Sequence, residues 1–535
     1  MTDDANPHPD RRQVLAAAAA LGLVASLPGR LSAQAFPAFA QAVAEGVAAD
    51  EGLSAFYRET GYAPVWTGPD HAVRRAALVT ALARAGEHGI PPSRYAIDDL
   101  IAAYHRVGSE RERGLLEART SLTLVRYARD IGSGLLEPGR IIEQIVRTLP
   151  RPDSAALMRG LVRAEPVAFL RSLAPRSPEY VRLHRAKFEL EQVIARGGWG
   201  PRVPAGSLRP GDSGPQVVAL RNRLIEMGWL ARVATARYDG AIQRAVQAFQ
   251  IAHGLEPDGI ANQATINALN VAPEERLKPV IVALERERWL NIPRGDRHIW
   301  VNLTDFKARI MDFDRVTFET RSVVGGQSPD TQTPEFSHRM TYIEINPDWT
   351  IPRSILARSY WSGLVAGGHP HLEIVDHRGR VVPREEINFA LYSPRTFPYE
   401  VRQPPGPTNP LGRVKFMFPN PWSIYLHDSP ARALFQTVVR THSSGCIRLN
   451  DADEFAYELL SRQEADPVGF YQRILRSGQQ TRVFLDEPVP IHLEYRTAFT
   501  SVDGRLNFRN DVYGRDATLY RALVAAGVES RALQG

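Results

Sequence analysis

Thr441-His-Ser-Ser-Gly-Cys446-Ile-Arg-Leu-Asn450 contains the only cysteine of a 535-residue chain, and it follows Trp422-Ser-Ile-Tyr-Leu-His427 so that Cys446 and His427 are 19 positions apart. A lone cysteine is often no more than a small buried apolar residue, but Ser443-Ser444-Gly445 makes a poor core segment. A glycine directly before a nucleophile permits a tight turn and lets a substrate approach backbone N–H groups. Upstream, alternation with period two predicts a strand over 422–427 that projects Tyr425 and His427 from one face. A thiol, a base to deprotonate it and backbone donors for an oxyanion are the parts that covalent cysteine catalysis needs. Cys446 is read as the nucleophile, His427 as general base and acid, Gly445 as a backbone oxyanion donor and the Tyr425 hydroxyl as a second donor.

Downstream of the thiol, Asp451-Ala-Asp-Glu454 reads as a capped helix start that carries Phe455, Leu459 and Leu460. Arg448 has two readings: it braces the cysteine loop through backbone carbonyls or grips a substrate carboxylate, with bracing preferred. Upstream, Ile299–Leu303, Arg309–Phe313 and Val316–Thr320 are short, rich in β-formers and separated by polar turns, so they begin a mostly β domain. Between Pro352 and about Pro404 the pattern breaks into a helical, Gly/His/Arg-rich insertion; long insertions beside a site are commonly functional, and a merely stabilising surface subdomain is the lesser alternative.

The amino-terminal half is helical. Leu122, Val125, Tyr127 and Ala128 fall in one helical run, and Phe188, Val193 and Ile194 in another, with the aromatics read as core and not as ligand sites. His88 reads as a helix-end residue, not a metal ligand. A small unit follows, in which Val217, Leu220 and Leu224, then Ile242, Ala245, Val246 and Phe249, line helix faces, with Gly228 and Gly254 as stops. A helical bridge over Leu277–Leu290 leads to the strands. The fold class expected is multidomain α+β, and the family resemblance set out next is what implies its parts: a mostly β catalytic domain with a cap insertion, a helical scaffold domain and a small three-helix domain. The divisions are 1–35 for a signal, 36–205 for the scaffold, 206–272 for the three-helix unit and 273–297 for the connector. The catalytic domain takes 298–485 with its cap at about 353–404, and 486–535 form a carboxyl-terminal extension.

The motif around Cys446 resembles that of the L,D-transpeptidases, cysteine enzymes that cross-link peptidoglycan, and specifically their large Gram-negative subgroup. The resemblance extends through Val324-Gly-Gly-Gln, Thr333-Pro-Glu-Phe, Asn346-Pro-Asp-Trp-Thr-Ile-Pro352, Gln403-Pro-Pro-Gly-Pro-Thr-Asn-Pro-Leu-Gly412 and Lys415-Phe-Met-Phe-Pro-Asn-Pro421. Further back it includes Leu53-Ser-Ala-Phe-Tyr57, Tyr62-Ala-Pro-Val-Trp66, Glu87-His-Gly-Ile-Pro91 and Gly197-Gly-Trp199, and the Phe249-Gln250 pair typical of peptidoglycan-binding modules. Where many members carry histidine before the Gly-Cys pair, this chain has Ser444, the form of the subgroup, and His442 is left outside the catalytic set. The resemblance implies a 3→3 cross-linking transpeptidase that works through a cysteine thioester, is acylated by carbapenems and needs no cofactor and no metal. Trp349 and the Asn346-Pro347 turn are read as shaping the cleft and Asn409 with Gly412 as lining its other wall, although these could equally be structural turn positions; Arg448 and Ser444 complete the candidate substrate contacts. Hydrolysis by the same acyl-enzyme would make an L,D-carboxypeptidase, and another acceptor an attachment or exchange enzyme. A wall-binding scaffold without catalysis is the non-enzyme alternative, against which the intact Cys446, His427 and Gly445 argue.

Composition limits the partners. Lys and Arg number 65 against 59 Asp and Glu, a net +6 that suits an acidic wall polymer without demanding one. No dense basic tract or zinc-ligand cluster points to nucleic acid. A single cysteine excludes an internal disulfide and leaves the thiol free to react. Asp10-Arg11-Arg12-Gln13-Val14-Leu15 precedes an apolar run to Leu27 and an Ala33-Gln34-Ala35 cleavage site, which resembles a twin-arginine export signal. A periplasmic protein beginning near Phe36 is expected, with an uncleaved tether as the lesser alternative. Its partners are then peptidoglycan stem peptides and glycan, the twin-arginine export machinery and cell-wall synthesis enzymes.

Overall fold

The computed structural model describes residues 37–501 and 503–528. The signal expected over residues 1–35, with Arg11 and Arg12, lies outside them. Among the described residues no helix is long and apolar enough to cross a membrane.

The catalytic half is built on strands β1 (Arg297–Asn302), β2 (Lys307–Asp312), β3 (Arg315–Gly325), β4 (Phe336–Ile345), β5 (Trp349–Thr350), β6 (Glu373–Val375), β7 (Glu400–Gln403), β8 (Val414–Met417), β9 (Leu426–His427), β10 (Thr441–Ser443), β11 (Ile447–Leu449), β12 (Thr481–Glu494), β13 (Ala498–Thr500) and β14 (Leu506–Phe508). Nine of them form one sheet in the order β10-β3-β11-β9-β8-β4-β12-β1-β2, and β2 also pairs with β3, so the sheet curls into closure and buries its own edges. Its interior is filled by residues such as Ile299, Val301, Ile310, Ile343, Phe416, Leu426, Ile447 and Leu493, and the helix Ala452–Leu460 presses Phe455 and Leu459 into the same core. That helix is not capped as expected. Asp451 spends its carboxylate on Thr320 Oγ1 and Asn450 Nδ2 instead of on a helical N–H.

Three expectations about this half are corrected. The boundary at 485/486 cuts through β12, which lies between β4 and β1, so residues up to Glu494 belong to the catalytic sheet. Pro488 and Pro490 hide the strand from a local reading, since proline removes ladder donors; a register shift between Phe484 and Val489 accommodates them. The cap is not simply helical: β5, β7 and β6 form a three-stranded sheet beside short helical turns, closed over a core of its own that includes Trp349, Ile374, Phe397 and Leu411. The strand expected over 422–427 pairs only at Leu426–His427, because Asn420 pulls the preceding residues into a turn. Its Oδ1 accepts from the N–H groups of Trp422 and Ile424, and Ser423 takes a φ of 55°.

The scaffold core surrounds the long helix Glu110–Ser133, which opens with a capping box between Ser109 and Glu112. Glu117 on this helix is fully buried, and its carboxylate accepts from Tyr57 Oη, the N–H groups of Val65, Trp66 and Thr67, and Thr67 Oγ1. That satisfies a charge otherwise costly to bury. Phe188, an aromatic expected in the core, is exposed. His88 closes a short 3₁₀ turn with Nδ1 2.9 Å from Tyr180 Oη.

The three-helix unit forms from Pro215–Glu226, Gly240–Ala252 and Gln263–Leu269 about a core of Val217, Leu220, Ile242, Val246 and Phe249. Gln250 is buried and ties the Asp258–Gly259 loop, donating to Asp258, Ile260 O and Thr265 and accepting from Gly259 N. The connector is a helix, Pro273–Trp289, packed against the scaffold helix Pro178–Ala195 and the carboxyl-terminal Ala498, Phe508, Leu519 and Leu523. Much of it is buried, from Val280 through Trp289.

Candidate active site

Parallel pairing of β11 with β9 places Ile447 opposite Leu426 and Arg448 opposite His427, so Cys446 stands at the start of β11 beside Tyr425. The Ile447 N–H donates to Tyr425 O at 3.0 Å, and the Cys446 Sγ lies 3.5 Å from Ser423 O. The Tyr425 ring packs against both the sheet core and the cap core, and its hydroxyl interacts with the thiol. Lys415 Nζ sits 4.6 Å over that ring. Cys446 is partly exposed, yet the surrounding protein strips enough water to push its pKa up; Tyr425, Lys415 and Arg448 oppose this.

His427 is buried, and its Nδ1 lies 2.5 Å from Asp428 O. A carbonyl can only accept, so Nδ1 carries the proton and Nε2 keeps the basic lone pair of the neutral ring. Burial lowers the imidazole pKa to about 3, with Arg448 and Lys415 adding to the effect. The carboxylate of Asp428 is fixed by Arg413 N and Arg432 Nη2, at 2.9 and 2.8 Å. Gly412, at φ 64°, makes room for it, since a Cβ there would lie 2.2 Å from Asp428 Oδ2. The expected cleft lining by Gly412 therefore becomes support for the turn that orients His427.

Several other expected substrate contacts are occupied within the fold. Asn346 Nδ2 donates to Ile474 O, Leu475 O and Gln479 O, and Asn409 is fully buried, with Nδ2 shared among Pro347 O, Gln403 O and Pro404 O. Both are brackets for backbone turns. Trp349 lies in the cap core with its ring 5.6 Å from Tyr360. Ser444 Oγ accepts from Arg358 Nη2 at 3.1 Å, and Arg358 Nη1 also pairs with Asp330 at 3.2 Å, so the cap touches the cysteine loop there. The carbonyl bracing preferred for Arg448 is not formed: its Nε is buried without a partner and its side chain makes no protein hydrogen bond among the described residues.

Gly445 also changes role. Its N–H donates to Ser443 Oγ at 3.1 Å and so is not a free oxyanion donor here. Its φ of 121° lies in the left-handed region, which is why glycine stands before the thiol. The Cys446 N–H has no protein acceptor among the described residues. His442 is exposed and meets Val439 O at 3.2 Å.

The sequence reading missed Thr333, Tyr513 and Arg515. Thr333 is fully buried; its Oγ1 donates to Gly445 O at 2.7 Å and accepts from Gly325 N at 2.9 Å. Behind it, Arg515 Nη2 donates to Thr333 O and Tyr513 Oη to Gly325 O, at 2.9 and 2.6 Å. The carboxyl-terminal segment thus fastens the back of the cysteine loop. Thr333 and Lys415 stand in quoted stretches of the resemblance, but no local pattern marks them. Thr333→Val is expected to cost about 1–3 kcal/mol by leaving buried backbone groups unpaired and to change the rate at which iodoacetamide labels Cys446, whereas Thr333→Ser keeps both bonds and both values. Urea unfolding and timed labelling check this, and identical behaviour of the two variants would refute the bracing role.

A capped, closed mixed sheet with a thiol just ahead of one strand and a buried histidine on its neighbour defines a class of domain, and three family models match parts of the chain. Residues 296–475 match the L,D-transpeptidase catalytic domain model, residues 51–186 the scaffold domain and residues 213–269 the "Putative peptidoglycan binding domain". The chain carries an L,D-transpeptidase catalytic domain together with these two modules. It is 28% identical over 257 residues to the "Putative L,D-transpeptidase" of Haemophilus influenzae, with 47% of this chain aligned, and it spans about half, 51%, of that curated relative's length. Among solved structures, the L,D-transpeptidase of Xylanimonas cellulosilytica (residues 123–326) is 15% identical with a TM-score of 0.17, covering 55% of this chain and 98% of its own. That of Stackebrandtia nassauensis is 11% identical with a TM-score of 0.22, covering 56% and 98%.

Proposed function

We propose that the protein is a peptidoglycan L,D-transpeptidase that forms 3→3 cross-links through a thioester on Cys446. The observation that carries this reading is the β9–β11 pairing, which sets Cys446 beside Tyr425, with His427 two residues further along the same strand. His427 Nε2 takes the thiol proton as Sγ attacks the carbonyl between the L-centre of a third-position diamino acid and D-Ala. The oxyanion is met by the Cys446 N–H and the Tyr425 hydroxyl. Collapse breaks the C–N bond, the proton passes to the departing D-Ala amine, and the thioester remains. A side-chain amine of a second stem then attacks, gives its proton to His427 and releases the thiol. Arg448, with an unpartnered guanidinium Nε near the thiol, suits a stem carboxylate.

Water as acceptor would make an L,D-carboxypeptidase of the same site, and a protein or D-amino acid acceptor an attachment or exchange enzyme. Mass analysis of muropeptides incubated with purified protein separates these: cross-linked dimers with loss of D-Ala are expected, and tripeptides alone would overturn the transpeptidase reading. Domains directed at peptidoglycan imply an extracytoplasmic place of work; we place it in the periplasm, reached by the twin-arginine route.

The depressed imidazole and raised thiol give a neutral resting pair. Because His427 stays unprotonated above about pH 3, acylation should show no acid limb between pH 5 and 8, and it should rise at higher pH as thiolate forms. A fall on the alkaline side would reveal an essential imidazolium and contradict the neutral pair. His427→Ala should slow acylation by about 10²–10⁴-fold.

A further inference from the structure

Away from Cys446, a crevice of about 670 Å³ opens where the three-helix unit, the scaffold helix Pro178–Ala195, the connector and the β13–β14 hairpin meet. Its size suits a ligand of one or two sugar rings. Trp199 and Trp229 supply indole surface, His253 and Phe508 an apolar floor, and Glu226 a carboxylate at the rim. Four arginines reach the lining. Three are paired: Arg182 with Glu179 at 3.1 Å, Arg185 with Glu189 at 2.7 Å and Arg505 with Asp503 at 3.5 Å. Arg276 has no ion-pair partner among the described residues. Its Nη2 donates to Ala268 O at 2.8 Å, its guanidinium lies 4.5 Å over the Phe508 ring, and its Nε is buried without an acceptor. Burial alone depresses its pKa to about 10, with no carboxylate to offset it. A desolvated cation left without an anion is a costly arrangement for packing alone.

We propose that this composite crevice binds a carboxylate-bearing N-acetylated saccharide, the form the wall glycan takes where a stem peptide has been removed from its lactyl group, with Arg276 receiving the carboxylate and Trp229 the apolar face of a pyranose ring. The proposal rests on the peptidoglycan reading above and assigns it a subsite that the three-helix unit does not form alone. Arg505, which lies 5.1 Å over the Trp229 ring and is half exposed, is the side chain the sugar displaces. Glu226 accepts from sugar hydroxyl or amide groups.

Calorimetric titration of the whole protein with the disaccharide N-acetylglucosaminyl-N-acetylmuramic acid, and with chitobiose, which lacks the carboxylate, tests this. The carboxylated sugar should bind about tenfold more tightly, as one charge-assisted hydrogen bond allows. Arg276→Gln should abolish that difference while chitobiose binding stays, and Trp229→Leu should weaken both sugars. Arg505→Ala, at an exposed position, is expected to fold normally and to leave both bound at least as well. Equal affinity for the two sugars, or an unchanged ratio in Arg276→Gln with native circular dichroism, overturns the proposal. All three variants should process a small soluble stem peptide at the wild-type rate. If that reaction is absent in every protein while the sugar preference persists, the transpeptidase reading fails and the crevice stands; if the reaction occurs without any sugar preference, the crevice alone falls.

Discussion

Cys446→Ala is expected to bring muropeptide cross-linking to background and to remove the mass adduct that a carbapenem leaves on the peptide containing this residue. No other thiol exists in the chain to substitute for it. The fold should survive: the side chain is partly exposed, and its contacts are the Tyr425 hydroxyl and a weak 3.5 Å approach to Ser423 O. A stability change within about 1 kcal/mol is therefore anticipated. Retention of saccharide binding by the same variant would show that wall recognition and chemistry are separable. Product formation by Cys446→Ala at the wild-type rate would remove the nucleophile from the mechanism.

The second large effect lies behind the site. Glu335 is almost wholly buried between two arginines: it pairs with Arg286 through Oε2 and with Arg515 through Oε1 at 3.0 Å. Arg286 also pairs with Asp516 at 3.0 Å, and Thr497 Oγ1 donates to the same carboxylate. This network joins the connector, the sheet and the carboxyl-terminal segment, and through Arg515 it reaches Thr333 and the cysteine loop. Glu335→Leu leaves Arg515 buried without an anion and Arg286 with one fewer, so it should destabilise the catalytic half by about 3–5 kcal/mol. The exposed pair Arg111–Glu45 is the control, and Arg111→Ala should cost no more than about 1 kcal/mol. Denaturant midpoints followed by tryptophan fluorescence check both values. Equal midpoints for the two variants would show that the buried network carries no such weight.

Much of the molecule was legible locally. The helix faces of Val217, Leu220 and Phe249 and the first three strands repeat with the period of their own backbone, and neighbours in sequence suffice to show it. Tyr425 and His427 were expected on one face, and their rings do lie 5.6 Å apart, although only two residues of that segment pair as strand. Asn346 and Asn409 looked like cleft residues because polar side chains next to prolines and glycines are common to both turns and binding sites. Only the carbonyls that surround them in space show which role they fill.

The sequence by itself determined the candidate pair and its immediate neighbours: one thiol after a glycine, and one histidine two residues beyond a tyrosine. These depend on residue chemistry and on adjacent positions. The tertiary structure decided what stands around them. β12 enters between β4 and β1 despite two prolines, Ser443 takes the Gly445 N–H, and Thr333 is fastened to a segment about 180 residues away through Arg515. Such partners are chosen by sheet closure and by the need to satisfy buried polar groups, and both are settled by distant parts of the chain meeting, which no local periodicity encodes.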